Sequence, residues 1–306
     1  MPQTQPRKIV IDTDPGIDDA VAILLALKSP EFDVLGITTV AGNIGIRTTT
    51  RNAGRILALE SRAEVPVVAG SSVPLVRPGR DASDIHGNDG LGGIAFPEPL
   101  AEPAGEDAVA WLARTLDVQE AGSVDILALG PLTNIARLIR DHPVSARRIR
   151  RVIAMGGAVH EPGNVGPRAE FNIAYDPEAA DVVFRAGLDF TLIPLDVTRR
   201  VRATHDYTGK LKESGKAAAM AAGDLIDAYF LTTSGGESRP LHDPCVMLFA
   251  LDEGLFGCEQ LRIAVDQSAT RDAGSLDIDA AGGAIDVTMT VDSAGALELL
   301  FDRLAG

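Results

Sequence analysis

Four aspartates crowd into eight residues near the start of the chain, in the segment Asp12-Thr13-Asp14-Pro15-Gly16-Ile17-Asp18-Asp19. The segment joins an apolar run of strand length to a helical pattern, so the carboxylates fall at a strand-to-helix junction. Carboxylates this close repel one another unless protons or a cation compensate their charge. Calcium and magnesium prefer carboxylate and carbonyl oxygens, and carboxylates also serve as general acids and bases. The segment therefore predicts a divalent-cation site or a catalytic centre.

Helix capping explains only part of this segment. Asp18 and Asp19 could complement the dipole at the N-terminus of the following helix, which is a common role for acidic residues. Asp12 and Asp14 precede the helix, and the dipole gives no reason for their presence. Metal binding or catalysis is therefore the preferred interpretation of the segment as a whole.

A second polar group stands far down the chain, where His242-Asp243-Pro244 precedes the apolar run Val246–Leu251. Aspartate before proline is also a good N-cap followed by a first helical position. From the residues alone, a capping role for Asp243 stays open beside a functional one. Asp176 also stands before a proline, and there we expect an ordinary cap.

A third polar group lies in the segment 156–170 and just beyond it, a long stretch rich in glycine and proline. Asn164, Glu170 and Asn172 together offer two amides and a carboxylate. Such groups could hydrogen-bond several hydroxyls of a sugar. Ordinary loop polarity and turn chemistry are the alternative explanation.

The elements that must position these residues alternate between strand and helix patterns. Strands are predicted at Lys8–Ile11, Val34–Val40, Val65–Ala69, Val124–Leu129, Arg151–Met155 and Phe190–Leu195. Helical patterns follow at Ile17–Leu25, Arg51–Glu60, Asp107–Asp117, Leu132–Arg140 and Pro177–Ala186. This order predicts the α/β class, with a mostly parallel central sheet and helices on both faces. We expect a single domain over residues 1–306, with a helical elaboration near 204–240.

Several polar or otherwise notable residues follow the predicted strands directly. Ligands of open parallel sheets bind outside the carboxyl ends of the strands. At or just after such ends stand Asp14, Asn43, Leu129, Met155 and Asp196. Because these ends meet at one edge of the sheet, the five residues are predicted to lie near one site.

The bulk composition narrows the classes of partner. With 28 basic and 43 acidic residues, the chain carries a formal charge of −15, which disfavours nucleic acid and anionic membranes, although solubility alone could also explain it. No apolar run is long enough for a membrane span. Cys245 and Cys258 lie near no second ligand pair, so no zinc site is predicted. Few cysteines and a polar start at Met1–Lys8 predict a cytoplasmic protein without a signal peptide.

A series of short motifs extends over nearly the whole chain. After Asp12–Asp19 come Thr38–Asn43, Ile85-His86-Gly87, Gly130–Ala136, Met155-Gly156-Gly157, Glu170-Phe171-Asn172, Asp176–Ala180 and His242-Asp243-Pro244. Together they resemble the inosine–uridine preferring nucleoside hydrolase family. The resemblance implies the Rossmann-like nucleoside hydrolase fold. It also implies hydrolysis of the N-glycosidic bond of ribonucleosides, to free base and ribose, by a calcium-activated water.

The same resemblance implies roles for residues at the metal and the scissile bond. The side chains of Asp14, Asp19 and Asp243 and the backbone carbonyl of Leu129 correspond to calcium ligands. Asp14 also corresponds to the general base. His242 corresponds to a histidine near the leaving base, where it could protonate the base or form part of the pocket wall.

Further positions correspond to substrate contacts in the family. The resemblance implies that Asp18 and Asn172 hold the 2′- and 3′-hydroxyls of ribose, and that Asn164 and Glu170 hold the 5′-hydroxyl. Other predicted pocket residues are Asn43, Met155, His86 and, on the base side, Tyr229. A second aromatic residue one turn after Tyr229 is absent, because Thr233 stands there, so purine against pyrimidine preference stays open. Trp111, in an amphipathic pattern, is expected in the core.

The resemblance implies that the binding partners are small nucleosides and that the protein takes part in nucleoside salvage. It also implies a homo-oligomer of two or four chains. Two other functions are compatible with parts of the sequence. Asp12-x-Asp14 is similar to the start of haloacid-dehalogenase-type phosphatases, which use magnesium, but the following Pro-Gly-Ile-Asp-Asp does not match that family. The other rival is a non-catalytic module that binds ribose or a nucleoside.

Overall fold

The computed structural model describes residues 5–79, 87, 89–232 and 236–306. The first half contains, in chain order, β1 (Arg7–Thr13), α1 (Ile17–Leu27), β2 (Phe32–Thr39), α2 (Ile46–Leu59), β3 (Val67–Ala69), α3 (Ala108–Val118), β4 (Val124–Ala128), α4 (Thr133–Asp141), α5 (Pro143–Ala146) and β5 (Ile149–Met155). The second half contains α6 (Phe171–Tyr175), α7 (Pro177–Phe184), β6 (Phe190–Ile193), α8 (Leu195–Thr198), β7 (Arg202–Thr204), α9 (His205–Glu213), α10 (Ala217–Thr232), β8 (Ser238–Pro240), α11 (Pro244–Leu251), a 3₁₀ turn (Glu253–Leu255), β9 (Phe256–Val265), β10 (Leu276–Ile278), β11 (Gly283–Val291) and α12 (Ser293–Ala305).

A nine-stranded sheet organises the molecule, in the order β10-β9-β11-β6-β5-β4-β1-β2-β3. The strands from β11 to β3 pair in parallel, and β9 pairs antiparallel with both β10 and β11. The predicted mostly parallel sheet is therefore confirmed. Strand β1 lies between β4 and β2, so the residues that follow it have neighbouring strand ends on both sides.

Successive residues of β1 enter the hydrophobic cores on opposite faces of the sheet. Ile9 and Ile11 belong to one core and Val10 to the other, as the alternation of side chains along a strand requires. The first core includes buried residues of α1, α2, α10, α11 and α12, and the second includes residues of α3, α4 and α7. The helices therefore cover both faces. Trp111 packs on the second core, as expected from its pattern.

The structure differs from the sequence expectation in three places. Helix α2 begins at Ile46 rather than near Arg51, because buried threonines in its first turns hide the apolar period. The region 204–240 holds helices α9 and α10, but β7 and β8 also pair there as a small antiparallel sheet. Strands β9 to β11 gave no clear signal, since the central residues of β9 are largely exposed. Among the described helices, none is long and apolar enough to cross a bilayer.

Candidate functional site

The turn from β1 into α1 fixes the side chain of Asp19 on two sides. The hydroxyl of Thr13 donates to Oδ1 of Asp19 at 2.5 Å, and the backbone N–H of Gly16 donates to Oδ2 at 2.9 Å. Asp19 thus closes the first turn of α1, which confirms that it interacts with the helix N-terminus. The amide of Asn43, from the loop after β2, also donates to Oδ2 at 3.0 Å.

Backbone atoms closely surround the carboxylate of Asp14, and only one of its two oxygens accepts a hydrogen bond among the described residues. Its Oδ2 accepts the backbone N–H of Asn43 at 2.6 Å. Its Oδ1 is buried and, among the described residues, has no hydrogen-bond partner. Gly42 and Gly130 approach from the ends of β2 and β4, and a Cβ on either would lie 2.1 or 2.2 Å from a carboxylate oxygen of Asp14. Both positions therefore require glycine.

Asp243 reaches this site from the opposite end of the sequence, at the start of α11. Its side chain makes no capping hydrogen bond to α11, so the capping interpretation is wrong for this residue. Asp176, which also precedes a proline, does cap its helix by accepting the N–H of Ala179 at 3.0 Å. Carboxylate oxygens of Asp18, Asp19 and Asp243 lie within 4.8 Å of one another. We call these three residues together with Asp14 the acidic cluster.

Burial and mutual repulsion dominate the electrostatics of the acidic cluster. All four side chains are at most 8% exposed. Burial, and next the charge of Asp19, raises the pKa of Asp18 to about 7 and holds the pKa of Asp14 well above its usual range. Burial, followed by the charge of Asp18, raises the pKa of Asp243 in the same direction. A cation among these oxygens would remove the repulsion.

The donor set fits a hard divalent cation. Grouped carboxylate oxygens, one of them buried without a partner on Asp14, are the ligands that calcium and magnesium prefer. The three carboxylates whose oxygens lie within 4.8 Å of one another include Asp18, whereas the family resemblance assigned Asp14 to the metal in its place. The charge of Asp19 acts on both Asp14 and Asp18, so the two assignments concern neighbouring groups of one cluster.

Asn172 links the ends of β4 and β5 beside the cluster. Its side-chain N–H groups donate to the carbonyl of Leu129 at 2.7 Å and to the carbonyl of Met155 at 3.2 Å. A carbonyl oxygen has two lone pairs, so this bond leaves Leu129 one further acceptor position. The predicted strand-end residues Asn43, Leu129 and Met155 therefore do meet Asp14 and Asn172 in one region.

Glu170 and Asn164 organise the loop that carries Asn172. The carboxylate of Glu170 accepts the N–H groups of Gly157 at 2.8 Å, Asn172 at 2.9 Å and Ile173 at 3.2 Å. Burial raises the pKa of Glu170. Asn164 is exposed, and its side-chain oxygen accepts the N–H of Phe171 at 2.9 Å. Their predicted contacts with a 5′-hydroxyl stay predictions.

The base-side residues come from elements outside the large sheet. Tyr229, on α10, is partly buried against the first core. Burial raises the pKa of Tyr229, as do the charges of Asp18 and Asp243, so its ring lies near the acidic cluster. The Nδ1 atom of His242 lies 2.7 Å from the hydroxyl oxygen of Thr198. His86 and Thr233 lie outside the described residues.

Sequence reasoning missed a buried network behind the cluster. Oδ1 of Asp12 accepts from the Thr38 hydroxyl at 2.6 Å and from the Asn134 amide at 2.8 Å. The Asn134 side chain also accepts the N–H of Ser71 at 2.9 Å. Burial raises the pKa of Asp12 to about 6. The Gly130–Ala136 motif contained Asn134, but nothing in the sequence paired it with Asp12.

Asp196, the last of the predicted strand-end residues, supports the segment after β5. Its carboxylate accepts the N–H groups of Val159 at 2.9 Å, His160 at 2.7 Å and Glu161 at 3.2 Å. It therefore positions the loop that leads to Asn164 and Glu170 and is not a member of the acidic cluster.

Comparisons with known proteins agree over the whole length. The sequence model of the family described as inosine-uridine preferring nucleoside hydrolase matches residues 9–298. The chain is 37% identical over 308 residues to the pyrimidine-specific ribonucleoside hydrolase RihA of Photobacterium profundum, covering 98% of this chain and 99% of that one. It is 39% identical over 306 residues to the protein of that name from Escherichia coli, covering 97% of each chain.

Solved structures give the same picture. A plant nucleoside hydrolase superposes with a TM-score of 0.92 at 32% identity, covering 98% of this chain and 99% of the other. A purine-preferring ribonucleoside hydrolase from Gardnerella vaginalis superposes with a TM-score of 0.91 at 29% identity, covering 98% of each chain. The names of these similar proteins thus agree on the reaction, nucleoside hydrolysis, but differ in the preferred base.

Proposed function

Because the chain belongs to the inosine–uridine preferring nucleoside hydrolase family, its reaction is hydrolysis of the N-glycosidic bond of ribonucleosides, and we propose that this reaction depends on a calcium ion bound at the acidic cluster. The family is metal-dependent, and the described residues include a matching cluster of carboxylates. The observation that carries the proposal is the buried Oδ1 of Asp14, which has no hydrogen-bond partner within the described ranges and lies beside three further carboxylates.

The residues that would hold the ion are Asp14, Asp19, Asp243 and the carbonyl of Leu129. Calcium suits this set better than magnesium, because it accepts many carboxylate and carbonyl oxygens in a flexible arrangement, whereas magnesium keeps several waters. A bound divalent cation lowers the pKa of a water molecule and orients it for attack.

Asp14 is the proposed general base. Its Oδ2 accepts the N–H of Asn43, and Oδ1 has no partner in the described part of the chain, so Oδ1 is the oxygen available both to the ion and to the proton of the water that the ion would orient. The cage formed by Gly42 and Gly130 leaves the Asp14 carboxylate little room to turn. This restriction holds the Asp14 carboxylate in one orientation, and a fixed orientation of a catalytic group favours the reaction.

Ribose is proposed to lie against Asn172 and Asp18. Asn172 is fixed by two carbonyls, and Asp18 lies within the cluster, so both present polar atoms from rigid supports. As the glycosidic bond breaks, positive charge develops on the sugar, and the surrounding carboxylates stabilise it. Gripping the hydroxyls lets binding energy contribute to the transition state.

Departure of the base is assigned to His242 and Tyr229. We propose that His242 donates a hydrogen bond from a ring N–H to the leaving base, which stabilises the negative charge that develops on the base, and that Tyr229 borders the base. The similar proteins carry names of both pyrimidine-specific and purine-preferring enzymes, so family membership alone does not select a base. A homo-oligomer, a single domain over 1–306 and a cytoplasmic location stay predictions.

The proposal is tested with protein stripped of metal and then titrated with calcium or magnesium. Inosine, adenosine, guanosine, uridine and cytidine are incubated separately, and free base and ribose are separated by chromatography. We expect base and free ribose without added phosphate, with activity lost on stripping and restored best by calcium. Full activity of verified metal-free protein would contradict the metal role. Nucleoside binding without base release would favour a binding module.

A further inference from the structure

A buried hydroxyl contacts the histidine on the base side. Thr198 is the last residue of α8 and its side chain is completely buried. Its Oγ1 lies 2.7 Å from Nδ1 of His242, a residue 44 positions further along the chain that is only partly buried. One ring nitrogen of His242 is therefore engaged by a buried group of the protein.

The helix that carries Thr198 is held firmly in place. The N–H of Leu195 donates to the carbonyl of Gly157 at 2.9 Å, and Asp196 accepts three backbone N–H groups of the segment after β5. The N–H of Thr198 itself donates to the carbonyl of Pro194 at 3.1 Å. The hydroxyl is thus presented from a rigid turn, and it constrains His242 more than a mobile partner would.

The direction of the Thr198–His242 hydrogen bond follows from the burial of the hydroxyl. A buried O–H group that lacks an acceptor is costly, and Nδ1 of His242 is the acceptor that the described residues provide for Thr198. When the hydroxyl donates to Nδ1, a neutral imidazole carries its hydrogen on Nε2. A neutral Nε2–H can donate a hydrogen bond to the departing nucleobase and stabilise the negative charge that develops on it.

We infer that Thr198 is a positioning residue for the reaction, fixing the ring rotation and the tautomer of His242 so that its Nε2–H faces the leaving base. The inference rests on the proposed base-side role of His242. Thr198 itself touches neither substrate nor metal. Its contribution appears only in the step that the leaving base limits, as expected for a partner that orients a catalytic histidine.

The test compares Thr198→Val, which keeps the shape and removes the hydroxyl, with Thr198→Ser, which keeps the hydroxyl. The kcat and KM values of the calcium-loaded proteins are measured with uridine, inosine and a nitrophenyl riboside, whose leaving group needs no help. We expect Thr198→Val to lower kcat on the two nucleosides by about tenfold to a hundredfold, with KM and the nitrophenyl riboside rate nearly unchanged. Thr198→Ser should restore most of the loss.

A double-mutant cycle with His242→Ala separates positioning from packing. In the His242→Ala protein, adding Thr198→Val should cost nothing further on nucleosides, because the ring that Thr198 orients is gone. Equal losses on nucleosides and nitrophenyl riboside, or additive losses in the double variant, would overturn the inference. Should His242→Ala itself affect both substrate classes equally, the base-side role of His242 would fall, and the inference with it.

A spectroscopic measurement checks the tautomer directly. In protein with ¹⁵N-labelled histidine, the His242 signals, assigned by their loss in His242→Ala, should show an acceptor nitrogen at Nδ1 and a protonated Nε2. Thr198→Val should shift the Nδ1 signal toward that of a free imidazole nitrogen. A protonated Nδ1 in the wild-type neutral ring would overturn the assigned direction of the bond. Thermal unfolding curves of each variant verify that the fold is retained.

Discussion

The two sides of the site are built in different ways. On the ribose and metal side, the loops and helix that follow β1, β2, β4 and β5 bring together buried side chains whose oxygens and amides are tied to backbone groups, among them Asp14, Asp19, Asn43 and Asn172. On the base side, Tyr229 and His242 are only partly buried and come from α10 and from the segment after β8. Residues 233–235, between those two elements, lie outside the described chain.

This difference separates the reaction from the choice of substrate. The sheet edge positions the residues that we propose for the metal and the sugar, which all nucleosides share. The residues proposed for the base side, Tyr229 and His242, come from α10 and the segment after β8, which are not strands of the large sheet. Similar proteins named for pyrimidines and for purines are compatible with one shared edge and a variable outer region. We therefore expect substitutions on the two sides to have different kinetic signatures.

The largest effect is expected for Asp14→Asn. The change keeps the size of the side chain but removes the base and one negative charge near the ion. We expect kcat to fall at least about a thousandfold with little change in the thermal unfolding midpoint. Asp117→Asn, at an exposed helix position, is the matched control and should be fully active. Activity near that of the wild type in Asp14→Asn would disprove the assignment of the base.

A smaller loss is expected for Asn172→Ala. Because Asn172 ties two strand ends together and is proposed to bind ribose, KM should rise and kcat should fall together, by about tenfold to a hundredfold in kcat/KM. The loss should be similar for every base, since the sugar is common to all nucleosides. If Asn172→Ala changed only the order in which the bases are preferred, the proposed ribose contact of Asn172 would be contradicted.

Tyr229→Ala should behave in the opposite way. We expect its losses to differ between uridine and inosine by about tenfold, because the ring is proposed to border the base. Tyr229→Phe keeps the ring and serves as the control for the hydroxyl alone. Rates with each nucleoside at saturating calcium provide the measurement. An equal loss on all nucleosides would move Tyr229 to the ribose side.

The smallest effect concerns stability without metal. Burial raises the pKa of Asp18 to about 7, above its value of about 4 in an unfolded chain, so the native state binds the extra proton between these values. This contribution to stability is present below about pH 4 and is lost as the pH rises through about 7. In metal-free protein, Asp18→Asn should therefore raise the unfolding midpoint by a few degrees at pH 8, and the gain should shrink toward pH 5. A gain that did not change with pH would argue against a protonation effect, and Asp117→Asn again provides the control.

Local patterns accounted for the class of fold and the main candidate residues. The apolar runs around Ile9 and Val124 produced strands because both of their faces are buried, and the aspartates of the first junction follow directly from the chain order. Strand β9, near one edge of the sheet, gave no sequence signal because its exposed residues interrupt any continuous apolar run.

The amino-acid sequence by itself determined the alternating α/β order, the crowding of carboxylates after β1 and the family resemblance, since each depends on residues that are neighbours or lie in a fixed order. The residues alone left a capping role open for Asp243, the family resemblance set Asp243 apart from Asp176, and the tertiary structure supplied the physical difference, because Asp243 joins the acidic cluster whereas Asp176 caps a helix. The tertiary structure alone paired Thr198 with His242 and Asp12 with Asn134. These contacts join residues 44 and 122 positions apart, and such pairs form when the packing of sheet and helices brings distant segments together.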